Sequence, residues 1–336
     1  MDILVLGGTV FLSRSVAEVA VARGHNVTTF SRGRTGSPVP GARVVTGDRS
    51  DPESLAQLAG RQFDLVFDTA YFPDLVRASA RLLEPTVAHY AFTSSINAFK
   101  GWPTVPDYHP LGSHDGDPDA IGEQLSDGVA EDEAYGWRKV GAERAALREF
   151  GADRTSILRA GLIVGPHDGV GRLPWWLDRI SRGGPTLAPG DPAARLRLID
   201  CRDIAEFALR RPPGTFEVSG PAHQINYGQL FDEARQVTAS DAEFRWASEQ
   251  YLSAAGVEGW TELPLWLDSA EAPGLWAHDT TAAEAMGLAC RPVLDSLVDI
   301  WDWMRSIPDG WRPSERTPGL APAREAELLA GLDQPA

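Results

Sequence analysis

The chain has 336 residues, 43% of them hydrophobic, which suits one large α/β unit with a smaller lobe attached. A formal charge of −16, with no local basic patch, disfavours nucleic acid and anionic lipid as partners. No run approaches the ~20 apolar residues that span a bilayer, the N-terminus lacks signal-peptide features, and Cys201 and Cys290 form no spaced metal motif. These features imply a cytoplasmic protein that holds no metal, and leave monomer and homodimer open.

The elements alternate. An apolar strand at residues 3–6 is closed by Gly7-Gly8, and residues 10–23 read as a helix ended by Gly24. Residues 26–30 and 43–46 read as the second and third strands. A helical stretch from near Pro52 precedes a fourth strand at 65–68, and a fifth at 89–93 ends in Ser94-Ser95. Continuous rather than alternating apolar runs indicate a parallel sheet covered on both faces. Residues 101–134 hold nine acidic residues and no Lys or Arg, and read as a long surface excursion. A helix from about Glu133 to Phe150 and a sixth strand at 156–158 follow. Beyond Gly165-Pro166 the pattern loosens into a Trp-rich lobe, and the tail after Arg312 reads as a terminal helix. The expected architecture is α/β: a Rossmann-type doubly wound parallel sheet over residues 1–165, with a mixed substrate lobe over 166–336 that returns some segments to the sheet.

Strand, Gly7-Gly8-Thr9-Val10-Phe11-Leu12-Ser13, then helix is the context of a dinucleotide loop, in which a pyrophosphate sits on the helix N-terminus. Of the usual three glycines only Gly7 is present; Val10 and Ser13 occupy the other two positions. Arg14 either supplies charge there or is solvated. The second strand ends in Phe30-Ser31-Arg32-Gly33-Arg34, with no carboxylate to bind ribose hydroxyls and two guanidiniums to accept a 2′-phosphate. NADP(H) is therefore the preferred cofactor, with NAD(H) as the alternative.

Tyr135 and Lys139 are four residues apart on the expected helix, hence on one face. A phenol with an ordinary pKa of ~10 is a poor acid or base at neutral pH, and a neighbouring ammonium favours its phenolate. The chain has only two lysines, Lys100 and Lys139, and chance places one four residues after a tyrosine in about 4% of cases.

With the loop, Gly47-Asp48, Phe92-Thr93-Ser94-Ser95, Tyr135-x-x-x-Lys139 followed by Glu143, and Arg159-x-Gly161-x-x-x-Gly165-Pro166, the chain resembles the short-chain dehydrogenase/reductase superfamily in its extended and atypical branch, NAD-dependent epimerase/dehydratase-like. The resemblance covers residues 1–220 and, more loosely, the rest. It implies Tyr135 as proton donor or acceptor, Lys139 on the nicotinamide ribose, and Ser95, with Ser94 as fallback, polarising the substrate oxygen. It further implies Asp48 and Arg49 on the adenine, Thr69, Ala70 and Tyr71 lining the cofactor, and Ala160, Gly161 and Ile163 bordering the nicotinamide. Ala160 replaces a proline common in the family. Asn97, His167, Arg172, Trp176 and Arg197 are the implied substrate contacts. His167 and Arg197 have alternative readings as solvated side chains, and of Trp175 and Trp176 one walls the pocket while the other packs in the core. The expected activity is NADPH-dependent reduction of a carbonyl or related group on a small molecule, or the reverse oxidation. The alternatives are a nucleotide-sugar epimerase or dehydratase with tightly bound NAD, and a non-catalytic dinucleotide sensor.

Overall fold

A computed structural model describes residues 1–315 and 317–332. The first half alternates strand and helix: β1 (Asp2–Leu6), α1 (Phe11–Ala22), β2 (Asn26–Ser31), β3 (Arg43–Thr46), α2 (Pro52–Leu55), β4 (Leu65–Asp68), α3 (Pro73–Leu83), β5 (Tyr90–Ser95), α4 (Ala134–Phe150) and β6 (Thr155–Ala160). There follow β7 (Leu162–Val164), α5 (Arg172–Ser181), β8 (Pro185–Pro189), β9 (Arg195–Leu196), β10 (Leu198–Asp200), α6 (Cys201–Leu209) and β11 (Gly214–Val218). The rest comprises β12 (Ile225–Asn226), α7 (Tyr227–Thr238), β13 (Glu243–Ala247), α8 (Glu249–Ala254), α9 (Thr281–Ala285), α10 (Val293–Ser306) and α11 (Pro322–Leu332).

Seven strands form one parallel sheet in the order β11-β6-β5-β4-β1-β2-β3. The order reverses between β1 and β4, and at such a switch point a crevice opens outside the carboxyl ends of the strands. This is the Rossmann-type α/β fold. Both faces are covered, so every residue of β4, β5 and β6 is buried. One face buries Ile3, Val5, Val16, Leu158 and Phe207 beneath α1 and α6. The other buries Leu4, Phe92, Ala142 and Phe150 beneath α3 and α4.

The chain divides into two compact units. The first holds residues 1–163, 199–220 and 277–290 and contains the sheet; the second holds 164–198, 221–276 and 291–336. Within the second, β8 pairs in parallel with β13 and β9 antiparallel with β12. The buried Arg179 Nε donates to Glu325 Oε2 at 2.6 Å, and the Leu187 N–H donates to Glu325 Oε1, so α11 is tied to α5 and β8.

Two expectations change. Residues 101–133 carry no strand or α-helix, yet they are anchored rather than merely draped. Tyr108 is fully buried, its hydroxyl within 3.2 Å of His278 Nδ1, and His109 Nε2 lies 2.8 Å from Glu217 Oε1. The aromatic anchor outweighs the acidic composition. Trp176 is not a pocket wall: it is 1% exposed, donates its indole N–H to the Pro264 carbonyl at 2.6 Å and packs on Phe231. Trp175 is buried as well, in edge contact with Trp176, so both tryptophans belong to the core of the second unit.

Candidate active site

At the carboxyl ends of β1 to β4 lies a cavity of about 430 Å³ lined by Gly7, Thr9, Val10, Ser13, Ser31, Arg32, Arg34, Asp48, Arg49, Thr69 and Ala70 among others. Its floor is the β1–α1 turn. Val10 is extended and gives α1 no side-chain cap, so the first-turn N–H groups of α1 have no capping side chain. Phe11 follows at φ 37°, a left-handed value costly for an aromatic residue, and such strain concentrates at ligand-binding turns. The two missing glycines have separate consequences. Ser13 Oγ accepts the Gly8 N–H at 3.0 Å and donates to the Val10 carbonyl at 3.0 Å, so one loop donor is satisfied internally. Gly8 has to stay glycine: at φ +97° its Cβ would stand 2.5 Å from Thr29 Cγ2.

Arg14 donates to the Ser37 carbonyl and pairs with Glu18, so it pins the loop after β2. Arg32 and Arg34 are exposed at the cavity edge. The carboxylate absent from the end of β2 is supplied from the end of β3: Asp48 accepts from the Ser50 hydroxyl and N–H, and these bonds, with the charges of Arg32 and Arg34, hold its carboxyl below the usual range.

Arg49 lines the cavity, but its guanidinium is committed elsewhere. It donates to both oxygens of the fully buried Asp68 at 2.6 and 2.7 Å and also to Ser79 Oγ and the Leu75 carbonyl. Asp68 receives Tyr90 Oη at 2.5 Å and the Ala70 N–H at 2.8 Å as well. Burial alone would raise the Asp68 carboxyl, yet Arg49 and these donors hold it below its ordinary value. The side chain of Leu12 packs in the core and offers nothing to the cavity.

The second cluster centres on α4, in the same unit. Lys139 is 5% exposed; Nζ donates to the Thr93 carbonyl at 2.7 Å and the Ala70 carbonyl at 3.0 Å, above the Phe92 ring. Burial lowers its pKa to about 8, opposed by the charges of Asp68 and Glu143. Tyr135 shares the helix face and is 42% exposed, its ring stacked on Tyr71 with centroids 5.4 Å apart. Ser95 ends β5, bonds Asn97 Oδ1 at 2.8 Å and pairs in the sheet with Ala160. Ser94 does not serve as a fallback for it. Its hydroxyl donates to Glu143 Oε1, and Glu143 takes two further bonds from Arg159, so all three are spent on holding α4 to β5 and β6.

The first unit thus gathers Gly7, Thr9, Val10, Ser31, Arg32, Asp48, Arg49, Thr69 and Ala70 around the cavity. Tyr71, Ser95, Asn97, Tyr135 and Lys139 gather around α4. Ala160 and Ile163 pack on the core at the end of β6, flanking Gly161. His167, Arg172, Trp176 and Arg197 belong to the second unit. There His167 lies beside Trp303, Arg172 covers the Trp260 ring, and Arg197 is buried and donates to the Trp276 carbonyl. Sequence reasoning missed Arg138. Its position three residues after Tyr135 was a usable signal, because that spacing shares the face of the pair. Among the described residues no cluster of His, Cys, Asp or Glu could hold a metal, and no helix is long and apolar enough to cross a membrane.

The model of the NAD dependent epimerase/dehydratase family matches residues 3–211. A dTDP-6-deoxy-L-talose 4-dehydrogenase (NAD(P)(+)) from Kitasatospora kifunensis is 27% identical over 84% of this chain and 97% of its own length. Among solved structures, the UDP-glucose 4-epimerase of Thermotoga maritima superposes with a TM-score of 0.64 at 17% identity, over 91% of this chain and 99% of that one. The Bordetella bronchiseptica enzyme WbmH, solved with NAD+, does so at 0.66 and 16% identity, over 91% and 98%. At these identities the structures share the fold. The family match spans well over half the chain and agrees with the sheet order and the Tyr135–Lys139 helix: the protein belongs to the NAD-dependent epimerase/dehydratase family.

Proposed function

We propose that the chain interconverts a hydroxyl and a carbonyl on a small molecule, using NADP(H) in preference to NAD(H), with a nucleotide-linked deoxysugar as the substrate class. The observation that carries the reading is the α4 face, where one of two lysines in the chain is buried on two backbone carbonyls one helical turn from an accessible tyrosine. The substrate class rests on the dTDP-sugar dehydrogenase likeness, which spans nearly the whole of that enzyme.

The residues fit a dinucleotide. The uncapped turn of α1 offers N–H groups to a pyrophosphate, though Gly8 is already spent on Ser13, and the cavity edge offers Arg32 and Arg34 to a 2′-phosphate. When bound, the nicotinamide supplies or accepts a hydride. Tyr135 gives its phenol proton to the carbonyl oxygen during reduction and takes a proton from the hydroxyl during oxidation. Lys139, held on the Ala70 and Thr93 carbonyls, places positive charge on the same face, which favours the phenolate, and presents Nζ to the ribose. Ser95 donates to the substrate oxygen, with Asn97 as its resting partner.

A second reading, an epimerase or dehydratase that retains NAD, is favoured by one observation. Asp48 supplies to the cavity the carboxylate that the end of β2 lacks. Purified protein separates the two. Oxidation of dTDP-6-deoxy-L-talose at a lower KM for NADP+ than for NAD+, by protein carrying no nucleotide, supports the first. Nucleotide retained through purification, with no net turnover, supports the second and refutes the first.

A further inference from the structure

The turn between β4 and α3 touches both members of the α4 pair. Ala70 gives its carbonyl to Lys139 Nζ at 3.0 Å. The next residue, Tyr71, lays its ring on that of Tyr135, 5.4 Å between centroids and 21° from parallel. The turn itself is held at its root by the Ala70 N–H on the buried Asp68. At its far end, the Tyr71 hydroxyl accepts a hydrogen bond from Arg138 Nη1 at 2.9 Å, and the guanidinium lies 5.5 Å from the Tyr71 ring centroid. Arg138 is only 9% exposed and is fixed in turn by the Glu123 carbonyl. Tyr135, Arg138 and Lys139 stand at i, i+3 and i+4, one face of one helix. An exposed tyrosine on a helix has two loose torsions, and a ring free to swing into solvent is poorly placed to move a proton. Here one face of that ring is covered by a second ring whose own far end is tied to a buried cation.

From this we infer that Tyr71 and Arg138 are positioning residues for Tyr135: Arg138 fixes the Tyr71 ring, and the Tyr71 ring fixes the Tyr135 phenol beside Lys139. The inference rests on the role given to Tyr135 under the proposed function. It makes a ring at position 71 necessary and its hydroxyl secondary. The acidic segment contributes through Glu123, which gives residues 101–134 a part in ordering the site.

The test uses the full-length chain. Oxidation of dTDP-6-deoxy-L-talose with NADP+ gives kcat, and fluorescence titration gives the NADPH Kd. A 19F spectrum of 3-fluorotyrosine-labelled protein reports the Tyr135 ring without substrate, its signal assigned by loss in Tyr135→Phe. Tyr71→Leu is expected to lower kcat about tenfold or more with Kd within about twofold, and Tyr71→Phe to restore most of kcat. Arg138→Met, which keeps the Tyr71 ring, is expected to move the Tyr135 signal toward its position in Tyr71→Leu, and Arg138→Lys to leave it near wild type. The inference is overturned if Tyr71→Leu turns over within twofold of wild type, if Tyr71→Phe falls as far as Tyr71→Leu, if the loss lies wholly in Kd, or if Arg138→Met leaves the signal unmoved. Should Tyr71→Leu not fold, the Arg138 pair and the 19F signal decide. Full turnover by Tyr135→Phe would instead remove the proposed function itself.

Discussion

Asp68→Asn removes one oxygen's charge and leaves the shape of the side chain intact, so its effect isolates the electrostatics beneath the α4 pair. Asp68 is 0% exposed and accepts four hydrogen bonds, two from Arg49 and one each from Tyr90 and the Ala70 N–H. In the variant Arg49 keeps its charge but faces a neutral amide, whose single oxygen joins Ser79 Oγ and the Leu75 carbonyl as its acceptors and whose NH2 is a donor set against the Arg49 and Tyr90 donors. Breaking one side of such a pair costs about 3–5 kcal/mol, a large share of the ~5–15 kcal/mol that holds a typical domain together. Removing both charges in an Asp68→Leu/Arg49→Met variant is expected to cost less than the single change, because no buried charge is then left alone. The carboxyl sits below its ordinary value in the folded chain, so its contribution is complete above the unfolded carboxylate value of ~3.9 and disappears as pH falls through the folded one. The assay is guanidinium unfolding at pH 7 for wild type, the single variants Asp68→Asn and Arg49→Met, and the double. A loss below about 1 kcal/mol for Asp68→Asn, or a double variant less stable than either single, refutes the reasoning.

Arg32→Ala is expected to raise the KM for NADP+ about tenfold or more while changing that for NAD+ less than threefold, read as initial rates at 340 nm. The Lys139 ammonium, lowered to about 8 by burial, is expected to lose its proton as pH rises through that value, so dinucleotide affinity measured by titration calorimetry falls above about pH 8. His89, lowered to about 4 by burial and by Arg211, is held neutral beside Ser156 Oγ. Between that value and its unfolded ~6.5 the unfolded chain binds more protons, so stability falls as pH drops through this window; His89→Gln is expected to flatten Tm between pH 6.5 and pH 4.

The sheet was legible because β1, β4 and β5 carry consecutive apolar residues, Ile3 to Leu6, Leu65 to Phe67 and Tyr90 to Phe92; β6, with Thr155, Ser156 and Arg159, showed only in part. Helix α3 was not picked out: its buried face of Val76, Ser79, Ala80 and Leu83 includes a serine, and its remaining positions mix Asp74, Arg77 and Arg81 with Leu75, Ala78 and Leu82. Tyr135 and Lys139 were legible through local spacing, which a helix converts directly into proximity. The contacts that hold them were not. Tyr71 lies 64 positions before Tyr135, and nothing local in Thr69-Ala70-Tyr71 announces a ring stack with α4. Arg49, implied by the resemblance as a cofactor contact, does line the cavity, but its bidentate hold on the buried Asp68 could not be read from the sequence. For Trp176, adjacency to Trp175 suggested opposed orientations, but the second unit is aromatic enough to bury both.

The central claim is that Tyr135, poised by Lys139, moves the proton that accompanies hydride transfer. Its most direct test is the turnover of Tyr135→Phe with dTDP-6-deoxy-L-talose and NADP+, alongside the NADPH Kd of the same protein. The account predicts a fall of about 10²–10⁴ in kcat with Kd within about twofold of wild type. A variant that keeps turnover within a few-fold of wild type would contradict it.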